Sequence, residues 1–67
     1  MTLEQIAQKV MDYLDSVGVA AEYHHDANYE FLYIKTDSSV YSFWLHVNDY
    51  DEFMNEIKAQ YPVKSPD

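Results

Sequence analysis

Apolar residues recur at spacings of three and four near the start of the chain and again near its end. The first set predicts a helix over residues 3–17, which begins at a Thr2-x-x-Gln5 capping box and ends before Gly18. The second set predicts a helix over residues 49–61, with acidic side chains in its first turn and a proline directly after it. Each helix therefore has one apolar stripe to bury.

Three short runs between the helices are rich in aromatic and β-branched residues, and they predict strands over residues 19–24, 29–36 and 40–47. Polar turn residues separate the runs, which makes antiparallel hairpins between neighbours the simplest pairing. The sequence thus predicts a single α+β domain over residues 1–67, in the order α-β-β-β-α. It would consist of a three-stranded antiparallel meander with two helices packed on one face, followed by a loose tail over residues 63–67.

Alternation along the strands assigns the two faces of the sheet. The face expected to meet the helices carries Leu32, Ile34, Tyr41, Phe43, Leu45 and Val47. The opposite face is expected to carry Tyr29, Phe31, Tyr33, Trp44 and His46. In the simplest register Phe31 lies between Trp44 and Glu22, and Tyr29 lies between His24 and His46. A slip of one residue would exchange the faces.

The composition disfavours catalysis. The chain has 67 residues, no cysteine and one glycine, so it offers no thiol nucleophile and no glycine-rich phosphate loop. A chain of this length also has little volume for an enclosed pocket. The pair Asp49 and Asp51 is explained by helix capping. We therefore expect neither an enzyme nor a bound cofactor.

The histidines are a weak candidate for a metal site. His24 and His25 are neighbours on a predicted strand, so their side chains point to opposite faces. His46 would lie two strands from His24, roughly 9–10 Å away, which is too far for both to bind one metal ion. We expect no metal.

Charge is the least ordinary feature of the sequence. Twelve acidic residues face four lysines and no arginine, for a formal charge of −8. Such a surface opposes binding to nucleic acid or to an anionic membrane and favours a basic protein partner. The candidate contact residues are the acids on outward helix faces and in turns: Asp12, Asp15, Asp26, Glu30, Asp37, Asp49, Asp51, Glu52 and Glu56. The alternative is a solvated acidic surface without a specific role.

The aromatic residues of the outer sheet face form a second candidate surface, made of Tyr29, Phe31, Tyr33 and Trp44. Several exposed aromatic side chains on one face are typical of an interface with another protein or with a second copy of the chain. The alternative is that cross-strand aromatic pairs only stabilise a small sheet.

The element order resembles that of the double-stranded-RNA-binding domain over most of the chain. That family holds phosphates with a lysine-rich start to its last helix. The matching stretch here, residues 48–53, reads Asn-Asp-Tyr-Asp-Glu-Phe and is acidic. RNA binding is therefore not expected of this chain.

Small size, high acidity and a simple fold are similar in type to phage-encoded anti-CRISPR proteins and other DNA-mimic inhibitors. This resemblance implies an inhibitor of a CRISPR effector complex or another basic nucleic-acid-binding protein, in the cytoplasm of an infected bacterium. No apolar stretch approaches the roughly 20 residues of a membrane span, and the N-terminus lacks a signal-peptide layout, so a cytoplasmic location is expected. An interaction module, a homodimer, and an antitoxin or immunity protein remain open.

Overall fold

The computed structural model describes residues 1–63. Its elements are, in chain order, α1 (Leu3–Ser16), β1 (Ala21–His25), β2 (Phe31–Thr36), β3 (Val40–Trp44) and α2 (Tyr50–Gln60). The strands form one antiparallel sheet in the order β1-β2-β3, which confirms the predicted α+β meander. The predicted tail over residues 63–67 lies outside the described residues except for Val63. No helix within residues 1–63 has both the length and the apolar content needed to cross a membrane.

Side chains cap both helices at their N-termini. The Gln5 backbone N–H donates to the Thr2 hydroxyl at 3.2 Å, and the Thr2 N–H donates to the Gln5 side chain at 2.9 Å, so the predicted capping box is present. Asp49 accepts from the backbone N–H of Asp51 at 2.8 Å. Gly18 follows α1 with a φ of +77°, a left-handed conformation that glycine adopts at least cost. Each helix ends one residue before its predicted end.

The apolar stripes of both helices pack against one face of the sheet. The Phe43 ring of β3 meets the Phe53 ring of α2 edge to face, with centroids 5.1 Å apart. Burying each such side chain contributes roughly 1.5–3 kcal/mol. One shared core therefore stabilises both helices, β2 and β3, while Ala21 of β1 packs against it as a partly buried residue. The buried apolar residues are Leu3, Ile6, Ala7, Val10, Leu14, Leu32, Ile34, Tyr41, Phe43, Phe53, Met54 and Ile57.

The third strand is shorter than predicted, and this corrects part of the core assignment. β3 ends at Trp44, and the chain turns over residues 45–47 instead of continuing as a strand. Leu45 is half-buried at the edge of the core, whereas Val47 is 80 % exposed. The prediction that Val47 is a core residue is therefore wrong. The reason is local, since the side chain of Asn48 binds the backbone of Trp44 and fixes the turn.

The first hairpin is offset from its predicted register. Glu22 lies opposite Lys35, and His24 lies opposite Tyr33, so the predicted position of Glu22 beside Phe31 is wrong. A wide turn causes the offset. One carboxylate oxygen of Asp26 accepts hydrogen bonds from the backbone N–H groups of both Glu30 and Phe31, and this holds the wide turn in place. The first two strands are consequently residues 21–25 and 31–36, instead of 19–24 and 29–36. The second hairpin keeps its predicted register, with Phe31 opposite Trp44.

The C-terminal end of α2 is tied to the turn between β2 and β3. The Tyr61 hydroxyl forms hydrogen bonds with the hydroxyls of Thr36 at 2.8 Å and Ser38 at 2.9 Å. These bonds, that of Ser38 above all, lower the pKa of Tyr61. The Tyr13 hydroxyl of α1 donates to the backbone oxygen of Tyr61 at 2.6 Å. One residue thereby holds both helices and the sheet together at this end.

Candidate functional site

A row of ring side chains crosses all three strands on the outer face of the sheet, away from both helices. The Trp44 ring packs on Phe31 with centroids 4.5 Å apart, and Phe31 lies 6.1 Å from Tyr33. Tyr33 in turn stacks on His24 at 4.9 Å, with 17° between the ring planes. Trp44 is 51 % exposed. We call these four residues the aromatic row. His24 joins it only because of the offset register, which the sequence pattern did not reveal.

Tyr29 does not belong to the aromatic row, contrary to prediction. It lies in the wide turn with a φ of 57°, and its ring stacks on His25 at 4.2 Å. His25 lies opposite Leu32, a core residue, so both rings are on the helix side of the sheet. The predicted position of Tyr29 between His24 and His46 is therefore wrong.

Three elements begin or turn at the same end of the molecule. Tyr29, in the turn between β1 and β2, lines a surface depression with residues 2–4 at the start of α1. The Leu45 N–H, just after β3, donates to the backbone oxygen of Glu30 in that turn at 2.9 Å. The chain then reaches Asp49 and enters α2. The starts of both helices therefore lie beside the first hairpin turn.

This arrangement collects carboxylates that are far apart in the sequence. We call the group the acidic end, and it consists of Glu4, Asp26, Glu30, Asp49, Asp51 and Glu52. All but Glu4 were predicted contact residues, and Glu4 was missed because its position beside the hairpin turn depends on the tertiary fold. The other predicted acids lie elsewhere: Asp12 and Asp15 on α1, Asp37 in the second hairpin turn, and Glu56 in the second half of α2.

Two carboxylates of the acidic end accept hydrogen bonds from backbone N–H groups. Asp26 accepts from the N–H groups of Phe31 at 3.0 Å and Glu30 at 2.8 Å. The bond from Phe31 is the main cause of a lowered pKa for Asp26, against a smaller opposing effect of burial. Asp49 accepts from Asp51 at 2.8 Å as the cap of α2. These two acids hold the local structure in shape.

The remaining carboxylates of the acidic end face solvent. Glu30 lies 3.5 Å from Nε2 of His46, and both side chains are exposed. Within residues 1–63, Glu4, Asp51 and Glu52 are exposed and make neither an ion pair nor a side-chain hydrogen bond. These are the groups available to a partner.

Two of the lysines within residues 1–63 lie away from the acidic end, and Lys9 lies beside the start of α2. Lys35 is near the second hairpin turn, opposite Val40. Lys58 is in the last turn of α2, with its ammonium 5.7 Å from the centroid of Tyr13. Lys9 is in the middle of α1, 6.0 Å from the Tyr50 ring. The described part of the chain therefore has an uneven distribution of charge.

The histidines are separated, and each has its own neighbour. His24 lies 3.5 Å from Glu22 on the outer face. His25 contacts the backbone oxygen of Asp26 through Nδ1 at 2.7 Å. Within residues 1–63 no three His, Cys, Asp or Glu side chains are grouped so that they could hold a metal ion.

Comparison of the chain with protein-family models, with curated proteins and with solved structures finds no match. The functional argument therefore depends on the two surfaces described above. One is the acidic end, where carboxylates from both helices and a hairpin turn meet. The other is the aromatic row, in which the exposed rings of His24 and Trp44 flank the half-buried rings of Phe31 and Tyr33.

Proposed function

We propose that this chain is an acidic inhibitor of the anti-CRISPR, DNA-mimic type. It would bind the basic nucleic-acid-binding surface of a host defence protein complex, for example a CRISPR effector complex. The observation that carries the proposal is the acidic end, at which two helix starts and one hairpin turn bring Glu4, Glu30, Asp51 and Glu52 to one exposed region. The formal charge of −8 points in the same direction.

The fold offers a physical reason why so many acids can share one end. Both helices begin there, and the unpaired N–H groups of a helix start carry a partial positive charge. Nearby carboxylates gain typically 0.3–1 kcal/mol from this charge, which offsets part of their mutual repulsion. Asp26 and Asp49 also accept backbone N–H bonds there. These bonds satisfy two of the six carboxylates of the acidic end from within the chain.

Exposed carboxylates on a compact scaffold can take the place of phosphates in a basic groove. Lysine and arginine side chains that normally pair with a nucleic-acid backbone would pair with the acidic end instead. Association would be fast and strongly weakened by salt, because the attraction is largely between exposed charges. Such a protein would act in the cytoplasm of an infected bacterial cell, where the defence complex is found.

Capture of partners from a bacterial lysate tests the proposal with two matched variants. The triple variant Glu30→Gln, Asp51→Asn and Glu52→Gln removes three of the four carboxylates that carry the proposal and keeps the structural acids Asp26 and Asp49. The control, Asp15→Asn, Asp37→Asn and Glu56→Gln, makes the same change in net charge elsewhere. We expect the first variant alone to lose a nucleic-acid-binding partner, and wild-type capture to fail as salt rises. Equal loss in both variants, or capture indifferent to salt, would contradict the proposal.

The aromatic row supports a second candidate, a protein-interaction module that grips its partner with the outer sheet face. Its exposed Trp44, packed on Phe31, is the type of anchor that dominates protein interfaces. Under this alternative, Trp44→Ser with Phe31→Ser abolishes capture, whereas Val40→Ser, at another exposed position of β3, does not. An antitoxin or immunity protein would use the acidic end against a different target, and the identity of the captured protein separates it from the inhibitor.

A further inference from the structure

The two edges of the sheet differ in how their backbone groups are satisfied. At the β3 edge, Trp44 N–H donates to the side-chain oxygen of Asn48 at 2.7 Å. The backbone oxygen of Trp44 accepts from the N–H groups of Val47 at 3.1 Å and Asn48 at 2.9 Å. A turn thereby closes one end of this edge and shortens it. Natural sheets use such devices to prevent pairing with another chain.

The β1 edge has no such closure within residues 1–63. Hydrogen-bonded pairs alternate along an antiparallel ladder, and the bond from Asp26 N–H to the Phe31 oxygen at 3.1 Å belongs to the ladder between β1 and β2. The N–H and C=O groups of His24 and Glu22 therefore point toward β2. Those of Ala21, Tyr23 and His25 point away from it, and no hydrogen bond to them comes from residues 1–63.

We propose that the β1 edge pairs with the β1 edge of a second copy of the chain, antiparallel, about a two-fold axis at Tyr23. The outward backbone groups of Ala21, Tyr23 and His25 would then form about six hydrogen bonds across the axis. The product is a homodimer with a continuous six-stranded sheet. Its two aromatic rows would share one face. This inference does not depend on the proposed inhibitory function.

The side chains of β1 are complementary to themselves in this register. Glu22 of each copy lies opposite His24 of the other on the outer face, so unlike groups meet on both sides of the axis. A shift of the partner by two residues in either direction, which moves the axis to Glu22 or to His24, would place Glu22 opposite Glu22, or His24 opposite His24. Directly opposed like charges destabilise a sheet, whereas opposed unlike charges stabilise it. The sequence of β1 therefore selects the register centred on Tyr23.

The helix side of the same edge also has an uncovered apolar group. Tyr23 lies opposite Ile34 on the core face and is still 43 % exposed, because it projects at the edge of the sheet. A second copy would place the two Tyr23 rings beside each other and cover them. Lys9 and Tyr13 of α1 contact Tyr50 and Tyr61 of the α2 side. By helical spacing Glu4, Met11 and Asp15 share the opposite flank of α1, which is the one toward β1. The acids of this flank would face those of the partner, so salt should strengthen this dimer.

A single engineered cysteine gives a direct test, because the chain has none of its own. Tyr23→Cys would put two cysteines on the two-fold axis with Cα atoms about 5.5 Å apart, which is within the range for a disulfide. Ser42→Cys is the matched control, exposed at the centre of the β3 edge, where the strand has the same length as β1. We expect mild oxidation to cross-link Tyr23→Cys much faster than Ser42→Cys. Equal rates for the two variants would overturn the proposal.

Sedimentation equilibrium gives a second test, applied to the unmodified chain and then to variants in which the charges at positions 22 and 24 are changed. We expect a dimer that tightens as salt is added, the opposite of the salt dependence expected for the proposed inhibition. His24→Glu should weaken it about tenfold or more by opposing Glu22 with a second acid, and Glu22→Lys combined with His24→Glu should recover it. A chain that stays monomeric at millimolar concentration, or a double variant no better than His24→Glu, would overturn the proposal.

Discussion

The side-chain oxygen of Asn48 accepts a hydrogen bond from the backbone N–H of Trp44, with the two atoms 2.7 Å apart. This contact ends β3, turns the chain toward α2 and closes one edge of the sheet. It also fixes the backbone of Trp44, a member of the aromatic row that is 51 % exposed. A single polar residue thus links the end of a strand to the shape of a surface.

Replacement of Asn48 should therefore loosen this corner. Asn48→Ala removes the acceptor, and we expect the free energy of unfolding to fall by about 1 kcal/mol, the usual net contribution of one such hydrogen bond. Asn48→Asp keeps an acceptor oxygen and should retain most of the stability. Chemical denaturation of the three proteins measures the difference. Equal losses in both variants would show that the acceptor is not what matters at this position.

Asp26 gives a prediction that depends on pH. Its pKa is lowered from the ordinary 3.8, mainly by the Phe31 N–H, so its charged form stabilises the folded state. That stabilisation is fully present above pH 3.8 and is lost as the pH falls through the lower folded-state pKa. Asp26→Asn keeps an acceptor oxygen but has no such titration.

Stability curves of wild type and Asp26→Asn should therefore converge below pH 3.8 and separate above it, with wild type the more stable. Asp26→Ala, which also loses the acceptor, should be the least stable of the three near neutral pH. Thermal unfolding at a series of pH values makes the comparison. A constant gap between wild type and Asp26→Asn across the acid range would contradict the assignment.

Removal of two tyrosine hydroxyls near the second hairpin turn should change the free energy of unfolding in opposite directions. The Tyr41 hydroxyl is buried, has no hydrogen-bond partner among the described residues, and has a pKa raised mainly by burial. We expect Tyr41→Phe to raise the free energy of unfolding by about 1 kcal/mol. Tyr61→Phe loses bonds to Thr36 and Ser38 and should lower it. Denaturation curves that move in the same direction for both variants would contradict this account.

The helices and the core face could be read from the sequence because local rules determine them. The capping box, the apolar stripes and the alternation of Leu32 and Ile34 each depend on neighbours in the chain. The offset of β1 could not be read in this way. It depends on the two backbone N–H groups that Asp26 binds in the turn. It also depends on the left-handed backbone conformation of Tyr29, which the residue type does not predict.

The candidate surfaces were predictable only as lists of residue types. Exposed acids and strand aromatics were recognised, but their grouping depends on tertiary structure. Glu4 joins the acidic end because both helices start beside one hairpin turn, and His24 joins the aromatic row because β1 is offset. Val47 was misplaced because β3 stops at Trp44, where the side chain of Asn48 accepts from the outward N–H of Trp44 and the chain turns.

Competition between this chain and duplex DNA for a captured basic partner tests the central claim most directly. Fluorescent DNA bound to that partner should be displaced by the wild-type chain and by the control variant Asp15→Asn, Asp37→Asn, Glu56→Gln. It should remain bound in the presence of Glu30→Gln, Asp51→Asn, Glu52→Gln. Mutually exclusive binding, lost only with the acidic end, is the predicted result. A ternary complex of partner, DNA and wild-type chain would contradict the account.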